Sequence, residues 1–337
     1  MSLLRAVVGR SMVRSMRGIS GLKLPMIAGH KLLYTCNLRC KMCPFWRRDD
    51  EKLLTIEEEI RMMDVLKEAG VSFMGFEGGE PLLRNDITEI LQESSRRFHT
   101  SLVTNGWLLE GKVGEIEDYL NYIFVSLDGI DDLHDKLRGI PGSFTRAVSG
   151  IRAARDRIPL AISSTITKEN MSQAGDLVKL ASDLGVSINF QIAYDYSTAD
   201  HLSPDREKLR ETVEYLKNLK ISGRPIVNSV GYFNAILNSW YGGEGWQCKP
   251  WLTINIDPLG RIVQPCYIIN EYSGKSKVWE IDIKALWNSY EWERFETCNK
   301  CALSCYLEPS LFSWHSPSMV KERILDNVVS YITGQIS

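Results

Sequence analysis

Cys36, Cys40 and Cys43 fall in the run Cys-Asn-Leu-Arg-Cys-Lys-Met-Cys, and this C-x3-C-x2-C spacing is the tightest constraint on the chain. Three thiolates this close suit three corners of a four-iron, four-sulfur cluster, because soft thiolates are the natural ligands of iron–sulfur centres. The remaining iron then has no protein ligand. An open coordination position marks a reactive metal, whereas a structural site is closed. The competing readings are a zinc knuckle or three unrelated thiols.

Length and charge narrow the class. A chain of 337 residues has material for one large domain and a smaller one. Its 44% apolar and 24% charged residues are those of an ordinary globular protein. No apolar stretch approaches the ~20 residues a bilayer span requires. Residues 1–48 carry ten lysines and arginines and no acid, a formal +10 against −12 for the remainder. All eight cysteines fall in two groups, the opening three and Cys248, Cys266, Cys298, Cys301 and Cys305. Clustered thiols in a chain this long point to metal binding rather than disulfides. An oxygen-labile cluster implies a reducing, cytoplasmic compartment.

Within residues 1–20, Leu3, Leu4, Val7, Val8, Met12 and Met16 approximate one helical face, with Arg5, Arg10, Arg14 and Arg17 between them. This pattern fits an amphipathic helix on an anionic membrane surface, a transit peptide, or a basic helix packed on the fold.

From Lys31 onward, short apolar runs alternate with helical patterns. Strands are predicted at Lys31–Thr35, Phe73–Phe76, Ser101–Thr104, Tyr122–Ser126, Ala161–Ile166 and Ser187–Gln191. Helices are predicted at Thr55–Ala69, Asp86–Arg97, Lys112–Tyr119, Ser143–Asp156 and Ser172–Leu184, the first with a Thr55/Glu58 capping box and the fifth capped by Asn170. Such alternation implies parallel strands with right-handed crossovers, an α/β partial (β/α)6 barrel whose site lies at the carboxyl ends of the strands.

The motifs fall at those ends. The cysteine loop follows the first strand, with Tyr34 placed to pack on a cluster or fill the core. Gly78-Gly79-Glu80-Pro81 follows the second strand; its glycines permit close approach of a ligand to the backbone, and Glu80 can accept from an ammonium group. Thr104-Asn105-Gly106 ends the third strand and Ser126-Leu127-Asp128-Gly129 the fourth, each also readable as a turn. His134 reads as a surface or helix-cap residue.

Past residue 200, Pro204–Leu219 and Gly231–Trp240 read as helices and Gly242-Gly243-Glu244-Gly245 as a hinge. Period-two alternation about Asp257-Pro258-Leu259-Gly260 predicts a hairpin that brings Cys248 and Cys266 together, with Cys298-x2-Cys301-x3-Cys305 on a following loop or helix start. Five thiolates are one more than a closed cluster needs. An auxiliary four-iron cluster would use Cys248, Cys266 and two or three of the others; four cysteines also satisfy structural zinc.

The cysteine run and the Gly-Gly-Glu-Pro element together resemble the radical S-adenosylmethionine (radical SAM) enzymes, over residues 28 to about 312. The resemblance implies a partial barrel over 28–200, connecting helices over 201–247 and an auxiliary-cluster domain of shortened SPASM/twitch type over 248–312, flanked by the basic amphipathic segment 1–27 and a C-terminal helix over 313–337. It implies that the iron left without a protein ligand in the cluster on Cys36, Cys40 and Cys43 chelates S-adenosylmethionine and that an electron releases a 5′-deoxyadenosyl radical. Met42 would cover the adenine, at a position commonly aromatic in the family. Gly78, Gly79 and Glu80 would grip the methionyl amine. Thr104 and Ser126 would line the pocket near the ribose and carboxylate, with Arg138 as that carboxylate's partner. Tyr194, Tyr196, Trp240, Trp246 and Trp251 would line a substrate cavity or pack the core. No residue is assigned as catalytic.

The Cys-Lys-Pro-Trp, Pro-Cys-Tyr and Cys-x2-Cys-x3-Cys tail looks most like the hopanoid-type branch, which implies a lipid or isoprenoid substrate, peripheral membrane contact through residues 1–20, and a ferredoxin or flavodoxin as reductant. The alternatives are modification of a ribosomally made peptide, a small-molecule rearrangement, or a non-catalytic iron–sulfur carrier. Against the peptide alternative, about 27 residues before the first strand are too few for a recognition domain. Against the carrier stands the amine-gripping element. No nucleic-acid module is recognisable, so nucleic acid is not expected as a partner.

Overall fold

The structure is a computed structural model describing residues 23–50, 52–241, 246–269 and 272–311. The basic segment over 1–20, the hinge over 242–245 and the terminal helix over 313–337 lie outside the described residues.

Six parallel strands form the core in the order of the sequence: β1 (Ile27–Lys31), β2 (Phe73–Glu77), β3 (His99–Thr104), β4 (Tyr122–Ser126), β5 (Leu160–Ile166) and β6 (Ser187–Ile192). Helices α1 (Ile56–Ala69), α2 (Ile87–Ser95), α3 (Leu109–Ile116), α4 (Asp132–Arg138), α5 (Ser143–Ala154) and α6 (Ala174–Leu184) connect them. This is the partial (β/α)6 barrel the alternation predicts. On α1, Met62, Met63, Leu66 and Ala69 are buried at helical spacing, and the Thr55/Glu58 capping box forms.

Three local expectations are corrected. The first strand ends at Lys31 instead of starting there. Beyond it the backbone serves other partners: Asp50 accepts from the Tyr34 and Thr35 amides at 2.6 and 2.7 Å, while the Leu33 and Thr35 carbonyls accept from Gly79 and Glu80. Asn170 does not cap α6. Its side chain accepts from Thr167 N and donates to the Asp128 and Thr165 carbonyls, which ties a loop to two strand ends. Helix α4 was not foreseen, and it carries His134 to a fully buried position.

Helices α7 (Arg206–Ile221) and α8 (Val230–Tyr241) follow the barrel. The expected hairpin forms between β7 (Thr253–Ile256) and β8 (Arg261–Gln264), with β9 (Tyr272–Lys277) beside it. It does not stand apart. Strand β7 pairs parallel with β1, Gly29 opposite Asn255, so one nine-stranded sheet runs β6-β5-β4-β3-β2-β1-β7-β8-β9 among the described residues. Helices α9 (Ile283–Ser289) and α10 (Ser304–Leu311) complete the described chain. The second cysteine group is thereby set beside the first strand of the barrel.

Candidate active site at the barrel mouth

The cysteine loop leaves β1 at the carboxyl end of the sheet. Arg39 and Lys41 amides donate to the Arg138 and Leu137 carbonyls at 3.0 and 2.9 Å, so α4 holds the loop in place. Each sulfur has a nitrogen donor near it. Leu38 N lies 3.4 Å and Asn105 Nδ2 3.8 Å from Cys36 Sγ, Arg138 Nη1 lies 3.7 Å from Cys40 Sγ, and Phe45 N lies 3.4 Å from Cys43 Sγ. Donors aimed at cysteine sulfurs are the outer shell that stabilises metal-bound thiolates. Burial pushes the Cys36 thiol up to about 12 and raises Cys40 as well, so the thiolate form calls for a cation. Among the described residues no three His, Cys, Asp or Glu side chains stand close enough to share one metal ion. A four-iron cluster makes no such demand, since each thiolate binds its own iron. The donor set therefore fits the cluster.

Gly78 and Gly79 pack against the cysteine loop's approach. A Cβ on Gly78 would meet the Leu33 carbonyl oxygen at 2.4 Å, and on Gly79 the Thr35 carbonyl oxygen at 2.1 Å. The close approach expected for a ligand is here the chain's own backbone. Glu80 is fully buried and already engaged: Oε1 accepts from Thr104 Oγ1 at 2.7 Å and Leu82 N at 3.1 Å, Oε2 from Asn105 N at 2.7 Å. Burial raises its pKa and these donors pull it down. A carboxylate has about four lone-pair sites. Glu80 thus ties β2 to β3 and keeps little acceptor capacity for an ammonium group, and Thr104 is turned onto it.

Arg138 also departs from expectation. Its guanidinium lies 2.6 Å from Asp128, which is fully buried and also accepts from Thr165 N at 2.8 Å. Asp128 and Cys40 hold Arg138 firmly charged against its burial. Its partners are a protein carboxylate and a cysteine, not an open pocket. His134, expected at the surface, accepts from Asp128 N through Nδ1 at 3.0 Å, and burial lowers it to about 3. Ser126 is half-buried at the end of β4, in register with Ser163. Met42 is half-buried on the loop, and Tyr34 stacks on Phe45 with centroids 6.2 Å apart.

Four of the late cysteines converge. Cys248, Cys266, Cys298 and Cys301 line one small pocket with Phe295 and Tyr306. Burial pushes Cys301 up to about 12 and raises Cys248 further. Four thiols around one space, too far apart to share a single ion, fit a four-iron cluster rather than zinc. Cys305 is not among the lining residues. Trp240, Trp246 and Trp251 pack against the core rather than the mouth.

Between the two cysteine groups lies a set of which the sequence reading named only Tyr194 and Tyr196. Lys31 is 4% exposed, with Nζ 2.9 Å from Glu77 and 3.9 and 4.5 Å from the ring centroids of Phe45 and Tyr267. A buried lysine is rare enough to be a signal, and Lys31 stands alone in the apolar run that opens the barrel. Tyr196 meets Phe45 edge-on at 6.0 Å and Tyr194 at 5.1 Å. Burial and then the neighbouring Cys305, Cys301, Glu77 and Cys43 raise its pKa, so Tyr196 spans the space between the groups.

Comparison with known proteins agrees with this geometry. Residues 31–181 match the radical SAM superfamily, and residues 188–325 match a domain of unknown function, DUF3463. The chain is 26% identical over 273 residues to PqqA peptide cyclase of Granulibacter bethesdensis, covering 76% of this chain and 71% of that one. It is 25% identical over 289 residues to the antilisterial bacteriocin subtilosin biosynthesis protein AlbA of Bacillus subtilis, covering 81% and 61%. SuiB of Streptococcus suis, solved with S-adenosylmethionine, shares the fold with a TM-score of 0.66 at 19% identity, over 80% of this chain and 67% of that one. With its three-cysteine loop at the mouth of a six-stranded parallel barrel, the chain carries a radical SAM domain over residues 31–181 and is an enzyme.

Proposed function

We propose that this enzyme makes a radical modification on a ribosomally made peptide, with one cluster on Cys36, Cys40 and Cys43 and one auxiliary cluster on Cys248, Cys266, Cys298 and Cys301. The observation that carries the reading is the placement of two cysteine sites on one sheet, with a shared aromatic and charged mouth between them. Relatives named for a peptide cyclase and for bacteriocin biosynthesis span most of the chain and support a peptide over the lipid the tail had implied. When bound, the first cluster and S-adenosylmethionine supply the radical; the protein supplies position and exclusion of water.

The chain's own part can be assigned. Asp50 clamps the Tyr34 and Thr35 amides, and Glu80 fixes the β2 and β3 ends, which sets the loop relative to the strands. Arg138 and Asn105 direct donors at Cys40 and Cys36. Met42 and Ser126 remain available to contact the cofactor, whereas Gly78, Gly79, Glu80, Thr104 and Arg138 act by shaping its site. Lys31 and Glu77 offer a charged pair to a polar substrate group.

A second reading, an isoprenoid or lipid substrate, draws support from the aromatic wall of Phe45, Tyr196 and Tyr267. Residues 1–20, which motivated membrane contact, lie outside the described residues; no helix among the described residues is long and apolar enough to cross a membrane. Anaerobically reconstituted protein with dithionite and S-adenosylmethionine should form 5′-deoxyadenosine. Adding short peptides encoded beside the gene should stimulate that formation and yield a peptide chemically altered at carbon. Stimulation only by vesicles carrying isoprenoid alkenes, with an adduct on the lipid, would transfer the assignment to the second reading.

A further inference from the structure

Four late cysteines line one pocket, and the fifth, Cys305, is not among its lining residues. Cys305 lies between Ser304 and Tyr306 at the start of α10, and both neighbours are anchors. Asn189 Nδ2 on β6 donates to Ser304 Oγ at 3.1 Å, and Tyr306 OH donates to Asn255 Oδ1 on β7 at 2.9 Å. Strands β6 and β7 do not pair among the described residues, and the start of α10 bridges them through these two contacts, with Cys305 between the anchors. Its surface is open although protein surrounds it, the situation of a residue lining an internal hollow. Glu77 and Lys31, at the ends of β2 and β1, lie within electrostatic reach of its sulfur, as do Cys301 and Cys266 on the side of the second pocket.

An independent feature marks the same hollow. Asn255 is 3% exposed and its Nδ2 has no hydrogen-bond partner among the described residues. Its Oδ1 lies 3.7 Å, and Glu77 Oε1 3.8 Å, from where a Cβ on Gly29 would stand, which places Asn255 on the lumen side of β1 beside Glu77. A buried donor with nothing to bind is costly, and here it gives the hollow a place for a substrate acceptor such as an amide carbonyl.

We propose that Cys305 is not a ligand of the second centre and is instead the hydrogen-atom donor of the barrel mouth. Its S–H bond breaks evenly and a C–H bond forms, so a carbon radical in the mouth is reduced and a thiyl radical remains. One electron from an iron–sulfur or flavin reductant and one proton from solvent return the thiyl to the thiol. The step rests on the radical SAM reading and on four-cysteine ligation of the second pocket.

The test uses the full cluster-loaded chain. Alkylation under anaerobic native conditions followed by peptide mapping should label one thiol, on Cys305, and Cys305→Ser should keep the iron and sulfide content of the parent. In D2O with dithionite and S-adenosylmethionine alone, the exchanged S–D should place deuterium on 5′-deoxyadenosine, and Cys305→Ser should lose that deuterium while still forming the nucleoside. Absence of 5′-deoxyadenosine from the parent would overturn the radical reading itself. Label on another cysteine, or deuterium missing from the parent's product or persisting in the variant, would overturn the role of Cys305 alone.

Discussion

The two cysteine regions use the same side chain on opposite kinds of support. The loop of Cys36, Cys40 and Cys43 rests on parallel strand ends and is held by polar groups taken out of water, Arg138 with Asp128 and Glu80 with Thr104 and Asn105, and by the partly exposed Asp50 on two amides. The pocket of Cys248, Cys266, Cys298 and Cys301 rests on apolar packing. Trp287 and Trp292 lie 5.2 Å apart, each indole N–H given to a backbone carbonyl, and Phe295 joins the pocket wall. Buried ionic networks fix geometry at the expense of tolerance, since removing one partner strands the other. Aromatic packing spreads the same task over many weak contacts. The reactive site is the one built without slack.

The largest test of that contrast is chemical. Cys36→Ala should abolish 5′-deoxyadenosine formation and remove about four irons per chain, whereas Cys298→Ala should remove as many irons and leave cleavage reduced but present. Equal loss of cleavage in both variants would erase the distinction between the sites.

Next come the ion pairs. Arg138→Leu should destabilise the chain by about 3–5 kcal/mol in urea unfolding, because Asp128 stays buried without its cation. Arg261→Leu removes a pair of the same kind in the second region, where Asp257 keeps backbone donors from Leu259 and Arg261; its cost should be about 1 kcal/mol. A reversed order would show that the strand-end network is not the more exacting support.

Acidification separates the regions again. His134 is held at about 3 by burial, below its unfolded value, so the unfolded chain takes up the proton first as pH falls. Its contribution is fully present above about pH 6.5 and declines toward pH 3, by up to about 1.4 kcal/mol per pH unit. Unfolding midpoints of His134→Gln between pH 7 and 4 should show a shallower acid dependence than the parent. The smallest effect belongs to the second region: Tyr306→Phe loses the hydrogen bond given to Asn255 and the longer one accepted from Tyr267 N, and should cost about 1 kcal/mol in thermal unfolding.

What was legible in the sequence was local. The Thr55 capping box, the hairpin about Asp257–Gly260, the strand Tyr122–Ser126 and the division of the cysteines each follow from a few neighbouring residues. What was hidden depends on register between distant segments. That Glu80 is taken by Thr104 and Asn105 follows from how β2 lies on β3, and that Arg138 meets Asp128 follows from a short helix with little periodicity to announce it. The β1 boundary slipped because Leu32 and Leu33 stay buried after the ladder ends. Lys31 was visible as a charge in an apolar run, and its partners Glu77, Phe45 and Tyr267 were not.

The pairing of β7 with β1 means that the two halves are not detachable parts. A core severed before Thr253 would present the amides and carbonyls of Ile27–His30 to water as a raw hem, the kind of margin by which sheets adhere to one another. The later half is therefore the selvedge of the earlier one, and shortened versions of this protein should precipitate rather than merely lose a metal.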